Sequence, residues 1–239
     1  MSICDPGARV DETGLAYKGS MFQLQIYVNR FTDELNSAVA DALDVSSDIT
    51  WVSPLASAGY AEYRDEGFLQ ALGLERHRDQ LTDFWPSRGP CWDGLALLEN
   101  REYSPLLVEA KSYPREGYSS ISAKSPTSLQ VIRDALTATS SWVGLHERPD
   151  SWTDGRYQAA NRLAHLYFLR EVLGLEAHLV FVHFVGDPTH HQTGTEEWDQ
   201  ANSLMWTDLG FPNAPPYTGA VYLPGVKRDP ASWDQDVTG

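Results

Sequence analysis

Asp93, Glu109 and Lys111 are the residues of this sequence whose types and spacing could do chemistry. They lie in "WDGLALLENREYSPLLVEAKSY", two apolar runs around a polar loop. Residues two apart in a strand point to the same side, so Glu109 and Lys111 share one face while Val108 and Ala110 take the other. An antiparallel hairpin with its loop centred near Glu102 would set Asp93 opposite Lys111, one rung from Glu109. All three polar groups would then stand together at the open end of the hairpin. A slip of one residue would turn Asp93 to the far side.

Two carboxylates and an amine on a mostly apolar sheet are costly to desolvate unless something compensates. A divalent cation would do so. Asp93 and Glu109 offer the hard oxygen ligands that Mg2+ (or Mn2+) takes, with waters completing the shell. Lys111 could position or help deprotonate an attacking water and offset charge on a phosphate. Gly94 would let backbone or substrate approach closely. The plainer reading is a solvated ion pair at a strand end, with Asp93 a turn residue.

The elements that must carry this constellation follow from periodicity. "MFQLQIYV", Met21 to Val28, alternates as a strand does, and "RFTDELNSAVADAL" places Phe31, Leu35, Val39 and Leu43 on one helical face. "ITWVSPL" reads as a short strand, and Tyr60 to Leu72 as a helix closed by Gly73. After the hairpin come a Ser/Gly-rich loop, a helix over 128–143, a helix from Tyr157 to Leu173 closed by Gly174, and a buried strand over 177–185. "GAVYLP" is one more possible strand in a C-terminal stretch rich in Pro, Trp and Asp. No linker divides the chain. The expectation is one α/β domain over 1–239, with a core at about 60–186, a strand-helix extension at 1–59 and an irregular tail at 187–239.

The spacing of Asp93 from "EAK" resembles the signature of the PD-(D/E)XK nuclease superfamily. The order of elements over roughly 60–186 is similar to that of its restriction-endonuclease-like fold, a mixed central sheet flanked by helices. Trp92 stands where the family often has proline. The helix at 128–143 would be an insertion, and a third strand is not obvious. The resemblance implies a Mg2+-dependent nuclease acting on DNA. Asp93, Glu109 and the carbonyl of Ala110 would hold the metal, and Lys111 would assist the water. It also implies a glutamate from the first helix. Glu62 lies at the edge of that helix's apolar face, Asp65 within it and Glu66 well outside, so Glu62 is preferred with Asp65 its rival. Gln158, at the start of the later helix, would orient the water or a metal ligand. Arg162 one turn on, and Lys124 in the serine-rich loop, are the candidates for contact with substrate phosphate.

Composition limits the alternatives. The chain has 239 residues and a net charge of −15, which argues against coating nucleic acid by charge alone. Residues 62–186 hold 13 of the 18 basic side chains, so a polyanion would be met there or gripped by a partner protein. No apolar run reaches the roughly 20 residues of a membrane span, and the N-terminus does not read as a signal peptide. Cys4 and Cys91 form no metal or redox spacing, and a cytoplasmic location is expected. His190 and His191 near Asp187 lack further zinc ligands at a recognisable spacing. Trp85, Trp142 and Trp152 are conceivable base-stacking platforms. Two other readings stay open: an inactive nuclease-like scaffold that binds a partner protein or small ligand, and a two-carboxylate sugar hydrolase.

Overall fold

The computed structural model describes residues 2–46, 48–99 and 104–229. Helices α1 (Gly19–Arg30) and α2 (Thr32–Leu43) precede strand β1 (Ile49–Ser53). Helices α3 (Asp65–Ala71) and α4 (Arg78–Phe84) lead to β2 (Gly94–Leu98) and β3 (Ser104–Lys111). The two-residue strand β4 (Ser119–Ser120), helix α5 (Pro126–Trp142), the two-residue strand β5 (Asp154–Gly155) and helix α6 (Tyr157–Tyr167) follow. Strand β6 (His178–Val185), helix α7 (Thr195–Asp208) and strand β7 (Thr218–Pro224) complete the order. Among the described residues no helix is long and apolar enough to cross a membrane.

The chain is α/β, with a mixed central sheet of five strands in the order β1-β2-β3-β6-β7, flanked by helices on both faces. β1, β2 and β3 run antiparallel, whereas β3–β6 and β6–β7 are parallel. A parallel pair needs a long crossover, and between β3 and β6 helices α5 and α6 supply it. α5 starts where a helix should. Ser125 caps it, its hydroxyl accepting from Ser128 N at 3.5 Å, and Pro126 fills a first-turn position that needs no N–H.

Strand alternation divides the core in two. Ala96, Leu98, Leu106, Val108, Val180 and Val182 face α1 and α2. Leu95, Leu107, Leu179 and Phe181 face the opposite way, onto α3 to α7. Glu109 and Lys111 share the parity of Leu107, so they belong to this second face, at the end of β3.

Several sequence expectations need correction. Met21 to Val28 is helix, not strand: α1 is buried nearly all round, its Gln23 and Gln25 included. The stretch from 187 onward is no irregular tail, since it holds α7 and the edge strand β7. The missing third strand is β1, which pairs with β2. The first core helix begins at Asp65 rather than Tyr60, which leaves Glu62 in the preceding loop. The expected hairpin loop around Glu102 lies outside the described residues. Trp85 and Trp152 are buried and cannot stack on bases, while partly buried Trp142 donates from Nε1 to Glu171 at 2.7 Å.

The core of the second face contains a histidine. The His165 ring is surrounded by those of Phe68, Phe84, Trp85 and Trp92, with centroids 4.9 to 6.2 Å away. Its Nδ1 lies 2.8 Å from the Asn161 carbonyl oxygen, an acceptor, so Nδ1 carries the proton. Burial holds its pKa down to about 3. An unfolded chain takes up that proton below its ordinary value near 6.5 and the folded chain does not. The stability His165 contributes above pH 6.5 is therefore lost as pH falls toward 3. His165→Gln should gain on the wild type by about 1.4 kcal/mol per pH unit between pH 6 and 4. Urea unfolding of both proteins across that range measures it; parallel stability curves would refute it.

Candidate active site

The hairpin register sets the site. Gly94 pairs with Val108, so continuing the ladder brings Asp93 opposite Glu109 rather than Lys111. The difference from the expected register is two residues, an even slip, and Asp93 keeps to the Glu109 face. Gly94 takes the other face. A Cβ there would meet Leu24, Trp51 and Val108 at 3.2 Å, so its missing side chain admits α1 and not a substrate.

Lys111 Nζ donates to Glu109 Oε1, donates to the Ala110 carbonyl at 3.1 Å and lies 4.0 Å from Asp93 Oδ2. Asp93 Oδ2 accepts from Ala110 N at 2.8 Å. The structure thus brings Asp93, Glu109 and Lys111 to one spot. The Ala110 carbonyl, named from the resemblance as a metal ligand, is occupied by the lysine.

Arg162 is the member that sequence reasoning placed wrongly. Its Nε donates to Glu109 Oε2 at 2.5 Å, Nη2 to the Cys91 carbonyl at 2.8 Å and Nη1 to Asn161 Oδ1 at 2.9 Å, with the guanidinium 4.7 Å from the Trp92 ring centroid. It is the buried counter-ion of Glu109 rather than an open phosphate contact. Nothing in the sequence signals this pairing, because the two residues meet only when α6 packs across the sheet.

The electrostatics follow. Burial pushes the Glu109 carboxyl up, but Arg162 and Lys111 outweigh it and leave it below its ordinary value. Burial opposes charge on Lys111, yet Glu109 and Asp93 raise it above the usual lysine range, so it is an ammonium. Asp93 is pushed up to about 6, first by burial and then by Glu109. Glu62 is raised well above the carboxylate range by burial and then by Asp93.

Glu62 reaches this place from extended backbone. Tyr63 bridges to Ile3 on one side and Trp92 on the other, and Glu62 Oε2 lies 3.5 Å from Cys91 Sγ. The rivals have other partners. Asp65 accepts from Gly89 N at 2.8 Å and Arg88 N at 3.1 Å, and Glu66 pairs with Arg78 at 2.9 Å. Gln158 opens α6, with its backbone N–H on Ser119 Oγ at 2.8 Å. Glu62, Asp93, Gln158 and Arg162 all line an open cavity of about 550 Å3. Lys124 is exposed and is not part of its wall.

Cys4 and Cys91, which spacing alone left unpaired, form a disulfide across 87 residues. It ties the N-terminal segment to the loop before Asp93. A disulfide is at home in an oxidising compartment, so the link does not favour the expected cytoplasmic location.

Among the described residues no group of three or more His, Cys, Asp or Glu side chains is placed to hold a metal ion. Both Glu109 oxygens already meet cations. Asp93 and Glu62 both line the open cavity. Glu62 is buried and Asp93 half-buried, and each is raised by burial and by a carboxylate neighbour. A divalent cation would relieve both, and Mg2+ is commonly held through one or two carboxylates. No family model, curated protein or solved structure matches the chain.

Removing Arg162 would leave Glu109 buried with Lys111 as its one cationic contact. Arg162→Met should cost about 3–5 kcal/mol of unfolding free energy, and adding Glu109→Gln should recover part of it. Denaturant titration of the single and double variants tests this. A loss under about 1 kcal/mol in the single variant would show that the pair is not the anchor of the site.

Proposed function

We propose that this chain is a Mg2+-dependent phosphodiesterase acting on nucleic acid, with DNA as its substrate. We infer also that its sheet and helices belong to the restriction-endonuclease-like class within the PD-(D/E)XK nucleases. The observation that carries the reading is the convergence of Asp93, Glu109 and Lys111 at one sheet end, where Asp93 lines a cavity together with Glu62 and Gln158. The helix α3, the β2–β3 hairpin, the crossing α6 and strand β6 follow the order that the sequence resemblance implies.

Asp93 and Glu62 would hold the metal, with Glu109 joining them only where it releases a cation. Bound there, Mg2+ would lower the pKa of a water and neutralise charge on the scissile phosphate. Lys111, held as an ammonium, donates rather than accepts. Its part is to hold the attacking water or a phosphate oxygen while negative charge builds, not to remove the proton. Gln158 orients the water from the far wall of the cavity. Arg162 keeps Glu109 in place, acting on the chemistry through position.

One observation favours a second reading, a scaffold of the same architecture that cleaves nothing. Glu109 and the Ala110 carbonyl are already satisfied by Lys111 and Arg162, so the site is stable without a metal. Calorimetric titration with Mg2+ and Mn2+, joined to hydrolysis of DNA, separates the two. The enzyme reading expects heat of binding in the wild type, none in Asp93→Ala, and a fall in turnover of about 10²-fold or more in Lys111→Ala. Absence of binding in the wild type overturns it in favour of the scaffold. Hydrolysis that survives a chelator overturns it in favour of a metal-free carboxylate mechanism.

A further inference from the structure

Residues 2–10 form a strap along the candidate site, with a cavity on either side of it. Cys4, Asp5 and Arg9 line the open cavity of about 550 Å3 beside Asp93. Ile3, Cys4, Pro6 and Val10 line a second one of about 210 Å3, shared with Met21 and Gln25 of α1. Of residues 2–10 only Cys4 is buried. The strap therefore takes little apolar surface out of water, and the hydrophobic effect does little to hold it down.

Its two ends are fixed differently. At the far end Val10 pairs with Ala16, Tyr17 N donates to the Arg9 carbonyl at 2.9 Å, and Ala16 N donates to Gln25 Oε1 at 2.7 Å. That small hairpin is seated on α1. At the site end Cys4 N donates to the Glu62 carbonyl at 2.9 Å and Arg64 N donates to the Ser2 carbonyl at 3.1 Å. The Ser2 backbone rests against Gly67, and the Cys4–Cys91 disulfide adds a covalent link. Two backbone hydrogen bonds without a buried face make a weak ladder, of the kind that opens locally at small free energy. Between the ends Gly7 is exposed and turns the chain at φ +59°, a conformation that glycine enters freely.

The covalent link is within reach of a reductant. Cys91 is half-buried and, like Cys4, lines the open cavity. The chain has two cysteines, so no third thiol competes for either sulfur. One thiolate of a dithiol attacks Cys91 Sγ, the bond to Cys4 breaks, and Cys4 leaves as a thiolate that takes up a proton. The second sulfur of the dithiol attacks the mixed disulfide and frees Cys91 as a thiol. The chain gains two electrons and two protons, and the dithiol closes to a disulfide.

We infer that Cys4–Cys91 is a redox latch on the wall of the candidate site. Oxidised, it pins the strap beside Glu62 and Asp93. Reduced, it lets residues 2–6 swing about Gly7 and withdraws that wall from the cavity. The core keeps its place, because the Trp92 N bond to the Tyr63 carbonyl at 3.0 Å and the Arg162 bond to the Cys91 carbonyl do not involve the strap. The latch is independent of what the site cleaves.

Amide hydrogen exchange of the full chain, followed residue by residue by NMR, tests it in the oxidised, dithiothreitol-reduced and reoxidised states. The Cys4 and Arg64 amides should exchange at least about tenfold faster on reduction and recover on reoxidation, while the Trp92 amide and those of β3 and β6 keep their rates. Cys4→Ser should exchange like the reduced chain with or without the dithiol; reduction of the wild type decides the matter if that variant does not fold. Unchanged exchange at Cys4 and Arg64 overturns the inference, since the ladder alone then holds the strap. Faster exchange throughout the core overturns it too, since the disulfide is then a staple of the whole fold. Neither Mg2+ nor DNA enters the measurement, so its outcome is separate from that of the phosphodiesterase reading.

Discussion

Glu109 is a carboxylate with about 1% of its surface exposed, held between Lys111 and Arg162 at the end of the central sheet. A charge so placed is tolerable only if both of its oxygens are met, and here each meets a cation. That requirement fixes three elements at once. Lys111 comes from the same strand, Arg162 from the helix packed across the sheet, and Arg162 Nη2 holds the Cys91 carbonyl, two residues before Asp93. The order of the site is thus a consequence of neutralising one carboxylate.

The same triad limits what the site can do. Lys111 and Asp93 are drawn to each other across 4.0 Å, and the lysine is raised rather than lowered by its neighbours. A lysine meant to remove a proton is one that burial has pushed down. Here the carboxylates win against burial, which leaves Lys111 an electrostatic partner. Asp93 and Glu62 go the other way, raised first by burial and then by a neighbouring carboxylate despite the cations nearby. The site is therefore satisfied at Glu109 and strained at its outer edge, where the cavity opens.

What was legible in the sequence was the part governed by short-range pattern. The short apolar runs of β2, β3 and β6 and the one-sided helix α2 came through because a continuous apolar run or a single apolar stripe is defined by its own residues. The parity of Asp93 and Glu109 was readable for the same reason, and survived an error of two in register. What was hidden depended on partners far along the chain. In α1 the alternation of "QLQ" imitates a strand because Gln23 and Gln25 have fixed polar partners: Gln23 donates to Asp187, and Gln25 accepts from Ala16 N. Helix α7 places Trp198, Met205 and Trp206 against the core without a clean apolar stripe or a side-chain cap. The Arg162–Glu109 pair and the Cys4–Cys91 link join residues that no local window contains.

The N-terminal segment shows how far such long-range closure reaches. Residues 2–4 extend a short ladder through Tyr63 to Trp92, immediately before Asp93. Glu62 sits inside that ladder, not on a helix. Its place in the cavity wall is set by backbone pairing and a disulfide rather than by helical phase, so the helical-wheel argument that preferred it does not apply. Deleting the segment would take away the Cys4 N–H bonded to Glu62's own carbonyl, the sulfur beside its carboxyl, and Arg9, which partly offsets its charge. The N-terminal segment is thus part of the cavity wall and fixes the backbone from which Glu62 lines it.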